Sequence, residues 1–477
     1  MTIKLPPAQL TLRQGFQLAC QCAQENPQLS FISTTFVLKN LKMIDQYLSN
    51  LGISKLNEMQ EATIKAAGKE KELILLSPTG SGKTLAFLLS LLPRLVKDQQ
   101  GMQALIIAPS RELAIQIEQV ARGMGSGFRV NSFYGGHSLR TELNNLSNPP
   151  AIAIGTPGRL LDLITKEAFE TTSIKHLILD EFDKSLEMGF GGEMSSILEH
   201  LTNLRTRFLT SATQAVKIPS FLKMSAPYTL DFTTRYENKE SKLDQKMVVA
   251  EGNDKLDALF KLLCLLGSKK SLIFCNHREA VDRIGELLSV KGVEHRTYHG
   301  KLEQDAREKV LAQFRNGSVN VLLATDLAAR GLDIAEIENV IHYQLPQTQE
   351  AFIHRNGRTA RMNASGSSYL LLLQSEKPPK YLAKKPQLVN LPETLLTPPA
   401  PTWSTLEFSA GKKDKINKVD IVGLLFKKGL LEKGDIGLID VTDKAAYAAV
   451  NREKAVKTAI KVSGEKIKKV KVRVSVL

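Results

Sequence analysis

The chain has 477 residues, 43% of them hydrophobic, and a formal net charge of +15. This hydrophobic fraction excludes wholesale disorder and allows the packed cores of two or three domains. The excess of positive charge indicates an anionic partner, with nucleic acid considered before a membrane surface.

The four cysteines are Cys20, Cys22, Cys264 and Cys275, and they form no paired C-x2-C set. We therefore expect no structural zinc and a reducing compartment. The sequence contains neither an apolar run of membrane-spanning length nor the apolar core of a secretion signal. It predicts a cytoplasmic protein with no membrane association.

Residues 1–35 follow no recognisable pattern, and we expect them to form a poorly ordered leader. Met43 precedes "IDQYLSNLGI", which is typical of a first helix. One hypothesis is that the leader is a dispensable tail or reflects an upstream mis-start. Abundant peptides from 1–42 in mass spectra of the natural protein would contradict the mis-start.

Apolar runs then alternate with amphipathic segments, from "ELILLS" to "RFLTSA" and again from "SLIFCN" to "SSYLLLL". Near-continuous apolar strands between helices predict parallel sheets covered on both faces. We expect two α/β lobes, at 36–232 and 246–374, joined by a polar linker at 233–245.

Residues 375–403 contain seven prolines, which suits a semi-rigid extended linker. Residues 404–477 then follow the order β-α-β-β-α-β, as in a small α+β ferredoxin-like or RRM-like domain. This segment has 17 Lys and Arg against 9 Asp and Glu, so it holds +8 of the total charge. The positive charge is therefore concentrated in the tail.

The stretch "SPTGSGKT" (77–84) follows a strand and opens an apolar helix, which is the setting of a phosphate-binding loop. Glycines let backbone amides close around phosphate, a lysine reaches the outer phosphates, and a Thr hydroxyl ligates Mg2+. The predicted nucleotide contacts of this loop are Ser77, Thr79, Gly80, Ser81, Gly82, Lys83 and Thr84.

Three carboxylates follow the apolar run "HLIL" in "LDEFD": Asp180, Glu181 and Asp183. Asp180 is predicted to hold Mg2+, directly or through water, and Glu181 to orient and deprotonate the attacking water. Acids also cap strand ends without any ligand, so the pair alone leaves that alternative open. The phosphate loop upstream favours a nucleotide site, because neighbouring parallel strands bring their carboxyl ends together.

The ordered series of motifs across about 36–374 resembles the DEAD-box RNA helicases of superfamily 2. The resemblance implies two tandem RecA-like lobes, ATP and Mg2+ as ligands, and a family loop in which Ser77 is an accepted residue. It implies that Gln60 reads adenine and that Asp333 reaches the ribose. The surroundings of Gln60 depart from the family, since Ile53 stands where an aromatic residue is usual.

The same resemblance implies which residues contact RNA. In the first lobe "PSRELA", "YGGHS" and "TPGRL" imply contacts by Arg111, Gly136, Thr156 and Arg159. In the second lobe the implied contacts are Gly300, Gln304 and Thr325. The residues implied to couple hydrolysis to lobe closure are Asp183, Ser211, Thr213 and His354.

The stretch "HRNGRTAR" (354–361) matches the family pattern H-R-x-G-R-x-x-R. By resemblance, Arg358 and Arg361 are arginine fingers that act with Lys83 and Glu181 in catalysis. A planar, permanently charged guanidinium stabilises the charge that spreads over the γ-phosphate during hydrolysis. Without the rest of the motif series, these arginines could instead form a solvated basic face with no catalytic role.

Residues 404–477 resemble the C-terminal RNA-binding domain of DbpA-type bacterial DEAD-box proteins, which implies anchoring on structured ribosomal RNA. Tyr447 is the only aromatic residue in the strand "AAYAAVN", so stacking of several bases on the sheet is not supported. The lysine-rich end "KIKKVKVRV" also fits a half-buried edge strand.

The preferred interpretation is an RNA-dependent ATPase that separates short RNA duplexes or remodels RNA–protein complexes, with ribosomal RNA maturation as one setting. The alternatives are an ATP-gated RNA clamp or chaperone with little unwinding, and a superfamily 2 DNA helicase. We expect a monomer. Phe182 stands where the family's "DEAD" has alanine. We predict that its ring points away from the face shared by Glu181 and Asp183, or lies against the packed interior of the lobe.

Overall fold

The computed structural model describes residues 43–136, 143, 146–212, 218–233, 243–326, 337–359, 366–382, 385–393 and 396–477. The chain divides into two compact units, Met1–Glu237 and Asn238–Leu477. Among the described residues, no helix is both long enough and apolar enough to cross a bilayer.

The first unit is built on a parallel sheet with the strand order β3-β4-β2-β5-β6-β1-β7. Its strands are β1 Glu72–Leu76, β2 Ala104–Ile107, β3 Val130–Phe133, β4 Ile152–Gly155, β5 His176–Leu179, β6 Thr206–Ser211 and β7 Tyr228–Asp231. Residues 43–50 are also helical, and the further α-helices are α1 Glu58–Ala67, α2 Lys83–Leu91, α3 Arg111–Gly123, α4 Pro157–Thr165, α5 Phe182–Glu187 and α6 Gly191–His200.

The central strands of this sheet are buried along their whole length, as their continuous apolar runs predict. Two hydrophobic clusters cover the two faces, one around Phe87 and Ile106 and the other around Phe133 and Leu177. Because all the strands run in one direction, the loops that follow them lie at one edge of the sheet, where ligands bind in such folds.

The second unit contains a second parallel sheet, with the order β10-β11-β9-β12-β13-β8-β14. Its strands are β8 Leu243–Ala250, β9 Ser271–Cys275, β10 Arg296–Tyr298, β11 Val321–Thr325, β12 Asn339–His342, β13 Gly366–Leu373 and β14 Gln387–Leu388. Its helices are α7 Leu256–Leu266, α8 Arg278–Val290, α9 Gln304–Arg315 and α10 Gln349–Asn356. The prediction of two parallel-sheet lobes is confirmed.

The end of the chain forms a small antiparallel sheet with the order β16-β17-β15-β20, beside a separate β18-β19 hairpin. Its strands are β15 Trp403–Phe408, β16 Ile436–Val441, β17 Ala446–Asn451, β18 Lys466–Ile467, β19 Val470–Lys471 and β20 Val474–Val476. Helices α11 Lys418–Lys427 and α12 Arg452–Val462 pack against one sheet face, through a core that includes Leu406, Ala448 and Leu425. The predicted β-α-β-β-α-β order is confirmed.

The described parts of the proline-rich segment 375–403 contain one short strand, β14, and contact the second lobe at several points. The short strand β14 in its middle pairs with Lys246 and Met247 of β8. Near its start, Glu376 forms an ion pair with Lys255 (2.5 Å), and the Tyr381 hydroxyl donates to the Pro346 carbonyl (2.7 Å). These contacts attach the linker to the lobe.

Candidate nucleotide and RNA sites

The phosphate loop lies between the end of β1 and the start of α2. Gly80 and Gly82 have φ values of +80° and +91°, in the left-handed region that glycine enters without strain. Lys83 is the first residue of α2 and only 7% exposed. Its ammonium group donates to the carbonyls of Ser77 (2.7 Å) and Pro78 (3.0 Å). The lysine charge is therefore held inside the curve of the loop.

Three hydroxyl groups of this loop are buried without a hydrogen-bond partner: Ser77 Oγ, Thr79 Oγ1 and Ser81 Oγ. A buried polar atom that has no partner is costly, so native proteins rarely retain one without a reason. Phosphate oxygens would accept from such hydroxyls, and the N-terminus of α2 favours an anion at the same place. The residues present therefore fit a nucleotide phosphate chain.

Gln60 lies beside this loop, on α1. Its side-chain oxygen accepts from the Asn57 backbone N–H (2.9 Å) in a reciprocal capping box, and its Nε2 donates to the Gly82 carbonyl (3.2 Å). A Cβ added at Gly82 would lie 2.5 Å from that Nε2, so only glycine allows this approach. Gln60 thus braces the phosphate loop, and its role in adenine recognition stays a prediction.

Asp180 directly follows β5 and is 2% exposed. The Thr210 hydroxyl, on neighbouring β6, donates to its Oδ1 (2.5 Å) and accepts from the Glu181 backbone N–H (3.0 Å). Burial and then the Glu181 charge raise the pKa of Asp180 to about 6, while Thr210 and Lys83 oppose the rise. A buried carboxylate that its surroundings stabilise so poorly fits a site completed by a cation.

Glu181 has φ +47° and ψ +51°, a left-handed conformation that is uncommon for a residue with a side chain. It is also 8% exposed and stands at the start of the short helix α5. Strained backbone of this kind costs on the order of 1–3 kcal/mol and clusters at functional sites. The Thr210 hydroxyl, which binds both the Glu181 N–H and Asp180, holds the two acids as one unit.

Asp183 is 1% exposed and is the second residue of α5, directly after Phe182. Burial and the Glu181 charge raise its pKa, and a hydrogen bond with the Ser211 side chain lowers it. The structure thus brings together Asp183 and Ser211, two of the four residues implied in coupling. Thr213 lies outside the described residues.

Phe182 is 3% exposed and belongs to the hydrophobic cluster that also contains Leu177 and Ile197. The prediction that its ring lies against the packed interior is confirmed. The change from the family's alanine therefore affects packing within the lobe, and all three carboxylates keep their places in the sequence.

The RNA-contact candidates of the first lobe follow the adjacent strands β2, β3 and β4. Arg111 opens α3 after the Ser110 cap, and a Cβ added at Gly136 would lie 2.8 Å from its Nη1. Thr156 caps α4, and Arg159 forms an ion pair with Asp162 (3.2 Å). Arg111 and Gly136 are therefore in contact, and the group lies across the same sheet edge as the phosphate loop.

The candidates of the second lobe lie at the carboxyl ends of β10 and β11. Gly300 is exposed in the loop after β10, and Gln304 opens α9 with its Nε2 donating to Glu308 (3.2 Å). Thr325 ends β11 and is 8% exposed. Two further predicted residues, Asp333 and Arg361, lie outside the described residues.

Arg358 follows α10 and is 5% exposed, and His354 lies half-buried within α10. The Arg358 backbone N–H donates to the Arg355 carbonyl (3.1 Å). The position of the Arg358 backbone therefore depends on Arg355, a residue of the same motif to which sequence reasoning gave no role.

Arg355 is 1% exposed and its guanidinium is fully engaged with its surroundings. It binds both carboxylate oxygens of Asp326 (2.6 Å each), the Gln344 carbonyl (2.6 Å) and Asn276 Oδ1 (2.7 Å), and it lies over the Phe274 ring. This network joins the ends of three strands and α10. Its only sequence signals were the first arginine of "HRNGR" and the aspartate that follows "LLAT".

The tail domain carries a surface that we call the lysine patch, formed by residues 412–418 and 466–473. The two segments meet where the Lys468 ammonium donates to the Lys415 carbonyl (2.5 Å) and pairs with Asp420 (2.7 Å). The exposed cations of the patch are Lys412, Lys413, Lys415, Lys418, Lys466, Lys468, Lys469, Lys471 and Arg473. Cations gathered in this way are typical of a surface that contacts nucleic-acid phosphates.

Taken together, the two parallel sheets, the phosphate loop and the buried acid pair define a P-loop protein of the two-lobed type, with a basic α+β domain at its end. Comparison with known proteins matches 57–220 to the DEAD/DEAH box helicase family, 254–363 to the helicase conserved C-terminal domain and 405–476 to the DbpA RNA binding domain. The chain belongs to the DEAD-box helicase family.

Among its curated relatives, the ATP-dependent RNA helicase DbpA of Bacillus subtilis is 31% identical over 442 residues, which cover 84% of this chain and 91% of that protein. The DEAD-box ATP-dependent RNA helicase CshA of Streptococcus pneumoniae is 36% identical over 65% of this chain. The chain spans 60% of the length of that CshA.

Similar solved structures include Dbp5 of S. cerevisiae bound to RNA and ADP BeF3, with a TM-score of 0.63 and 27% identity. The match covers 70% of this chain and 88% of that one. Mss116p bound to ssRNA and AMP-PNP has a TM-score of 0.62 at 27% identity, covering 70% and 72% of the two chains. This similarity confirms the RecA-like architecture of the lobes.

Proposed function

We propose that the protein is an RNA-dependent ATPase that separates short RNA duplexes or remodels RNA–protein complexes. One observation carries the proposal: three unpartnered buried hydroxyls and two buried acids lie at the same edge of the first sheet. The hydroxyls suit phosphate oxygens, and the acids suit a divalent cation and a water molecule.

In this mechanism Lys83 and the backbone amides of the phosphate loop bind and orient the phosphate chain of ATP. Thr84 and Asp180 would hold Mg2+, which shields phosphate charge when it is bound. The Glu181 carboxylate accepts a proton from the attacking water, and the left-handed backbone conformation sets the direction in which this side chain leaves the main chain. Arg358 is assigned, from its motif, to the charge that develops on the transferred phosphate.

RNA as the activating ligand is supported by the residues at the ends of β2 to β4 and by the tail. The similar structures named above contain RNA together with a nucleotide. The lysine patch suits a phosphate backbone, and a tethered second site raises the local concentration of RNA at the lobes. We further propose structured ribosomal RNA as a substrate, since relatives include proteins named ATP-dependent rRNA helicase RRP3.

A cytoplasmic location forms part of the proposal. Cys264 and Cys275 are both free thiols, and burial raises the pKa of Cys275 to about 12, which keeps it protonated and unreactive. Such thiols fit a reducing compartment.

The test is release of phosphate from ATP with no nucleic acid, with RNA and with DNA of the same sequence. We expect RNA to stimulate the wild-type protein, and Glu181→Gln to lose about 10²–10⁴-fold in rate while it still binds ATP. Equal stimulation by DNA would favour the DNA helicase. Binding of RNA without turnover would favour the ATP-gated clamp.

A further inference from the structure

A cluster of three buried polar side chains lies where the end of α10 meets β12 and β13, and the mechanism described above gives it no role. His342 ends β12, Ser368 lies on neighbouring β13, and Asn356 is the last residue of α10. His342 and Ser368 are 0% exposed, and Asn356 is 7% exposed. Buried polar groups need partners, and these three side chains find them in one another.

The hydrogen bonds of the cluster converge on one atom, Asn356 Oδ1. The Ser368 hydroxyl donates to it (2.8 Å), and His342 Nε2 lies 3.0 Å from it and 3.1 Å from Ser368 Oγ. The other ring nitrogen of His342, Nδ1, is buried and has no hydrogen-bond partner. Because an unpartnered N–H in the interior would be costly, the ring proton lies on Nε2, which donates it to Asn356.

The surroundings of His342 keep its imidazole neutral. Burial and then the Arg355 charge lower the pKa of His342 to about 3, although the hydrogen bond to Asn356 opposes the shift. The centroid of the His342 ring lies 5.1 Å from that of Phe352 and 6.4 Å from that of Phe274. The cluster is therefore a neutral network beside aromatic rings, and low polarity strengthens hydrogen bonds that are fully made.

Asn356 also begins the turn that carries Arg358. The Arg358 backbone N–H donates to the Arg355 carbonyl (3.1 Å), and the Thr359 N–H donates to the Asn356 carbonyl (3.0 Å). At the far end of the turn, the Thr359 hydroxyl donates to the Ile337 carbonyl (2.5 Å), shortly before β12. Side chains at both ends of the turn thus fix it to the second sheet.

We propose that His342 and Asn356 are positioning residues for Arg358, because the imidazole holds the Asn356 amide and, through it, the turn that carries the arginine. Hydrogen bonds between side chains fix the register of α10 on β12 and β13 more narrowly than apolar packing does. An apolar residue would fill the place of His342 without leaving a buried nitrogen unsatisfied, so stability alone does not favour histidine there. The catalytic part of this inference rests on the proposed function, which assigns Arg358 to the transferred phosphate.

The anchoring of the turn is tested without nucleotide or RNA, by hydrogen–deuterium exchange of the full chain. His342→Phe keeps an aromatic ring beside Phe352 and Phe274 but removes the N–H donor. Peptides covering 353–359 should then exchange about tenfold faster, as expected for the loss of one buried hydrogen bond. Asn356→Leu removes the acceptor and should have the same effect. Peptides of β9 and β11 are the internal control for the fold of the lobe, and unchanged exchange of 353–359 in either folded variant would overturn the proposal.

The effect on catalysis is measured as RNA-stimulated ATP hydrolysis. His342→Phe and Asn356→Leu should lower kcat at least about tenfold, since a misplacement of about 1 Å can cost about 100-fold in rate. The KM for ATP should not change, because the phosphate loop belongs to the first lobe. Ile341→Val is the matched control for stability: Ile341 precedes His342 in β12 and belongs to the hydrophobic cluster with Leu259, on the opposite face of the sheet. This variant should unfold at a lower temperature and keep the wild-type kcat while it is folded.

Action through Arg358 is tested by combining the variants. When Arg358→Ala is already present, His342→Phe should cause no further loss of kcat, because the arginine that it positions is gone. Losses that multiply would show an effect independent of Arg358 and would overturn the proposal. A wild-type kcat in Arg358→Ala alone would instead contradict the arginine's part in the proposed function, and with it the catalytic role of the cluster. The exchange of 353–359 would still decide the anchoring of the turn, because it is read without ATP.

Discussion

Each of the two lobes contains a buried charged side chain beside the end of a parallel strand. The two side chains differ in how many hydrogen-bond and ion-pair partners the protein gives them. Arg355 of the second lobe pairs with both oxygens of Asp326 and donates to two further oxygens. Asp180 of the first lobe receives a side-chain hydrogen bond from Thr210 and has a raised pKa. A buried charge satisfied within the chain supports the architecture, whereas one left short of partners indicates a place for a ligand.

The largest expected effect is on Asp180→Asn, which tests the first half of this comparison. The amide keeps the shape of the side chain but removes the charge proposed to hold Mg2+, so ATP hydrolysis should fall at least about 100-fold. The free energy of unfolding should rise, on the order of 1–3 kcal/mol, because each unit by which a pKa is raised corresponds to about 1.4 kcal/mol. Phosphate release and thermal unfolding of the full chain measure the two changes.

Lower stability of Asp180→Asn would contradict this contrast, because it would show that the charged carboxylate supports the fold of the lobe. Glu181→Gln provides the control, since it affects the proposed catalytic step without removing the proposed Mg2+ ligand.

Arg355→Leu tests the second half of the comparison, the buried charge that is satisfied within the chain. It leaves Asp326 without its partner and should destabilise the second lobe by about 3 kcal/mol, the lower end for a broken buried pair because Asp326 is partly exposed. Hydrogen exchange of peptides from β11 and α10 should accelerate even without nucleotide. Arg355→Lys keeps the charge but loses the planar bidentate geometry, so an intermediate effect is expected. Normal exchange in Arg355→Leu would refute the structural role.

Phe182→Ala tests whether the ring between the carboxylates Glu181 and Asp183 contributes to packing alone or also to catalysis. Removal of this buried ring should lower the free energy of unfolding of the first lobe by about 3 kcal/mol. The rate of ATP hydrolysis should stay within about tenfold at a temperature where the variant is folded, because the three carboxylates remain. Phe182→Leu, which fills more of the space, is the matched control. Loss of activity in a folded Phe182→Ala would show that the ring also positions Glu181.

The smallest effect is expected for Thr210→Val. Its hydroxyl donates to the Asp180 carboxylate and lowers the pKa of that group, so its removal should raise the pKa further above about 6. Protonation weakens the proposed Mg2+ ligand, and the acidic limb of the pH–rate profile should therefore move to higher pH. Thr210→Ser keeps the hydroxyl and should keep the wild-type limb. If the acidic limb of the pH–rate profile stays at the same pH in Thr210→Val, that limb does not report the protonation of Asp180.

The sequence predicted those features that adjacent residues determine. Continuous apolar runs indicated both parallel sheets, and "SPTGSGKT" between a strand and a helix indicated the phosphate loop. These are local patterns, and packing elsewhere in the chain does not alter them. The burial of Phe182 was predicted from the alternation of strand-end residues, but the structure places Phe182 at the start of helix α5, so the outcome was right for a reason that does not apply.

The features that sequence reasoning missed depend on residues far apart in the chain. Thr210 meets Asp180 because β5 and β6 are neighbours, and Arg355 meets Asn276 across 79 positions. The approach of Gln60 to the carbonyl of Gly82 depends on how α1 packs against the phosphate loop. No local pattern specifies such partners, since they follow from strand order and side-chain packing.

The attachment of the linker to β8 has a consequence for solubility. Without β14, the eight-residue strand β8 would form the border of the second sheet and expose unpaired amides and carbonyls to other chains. The two-residue β14 pairs with part of this border, and Pro386 and Pro392 close to it cannot donate the amides that a longer cross-chain ladder requires. The segment that connects two domains thus also protects the protein against self-association.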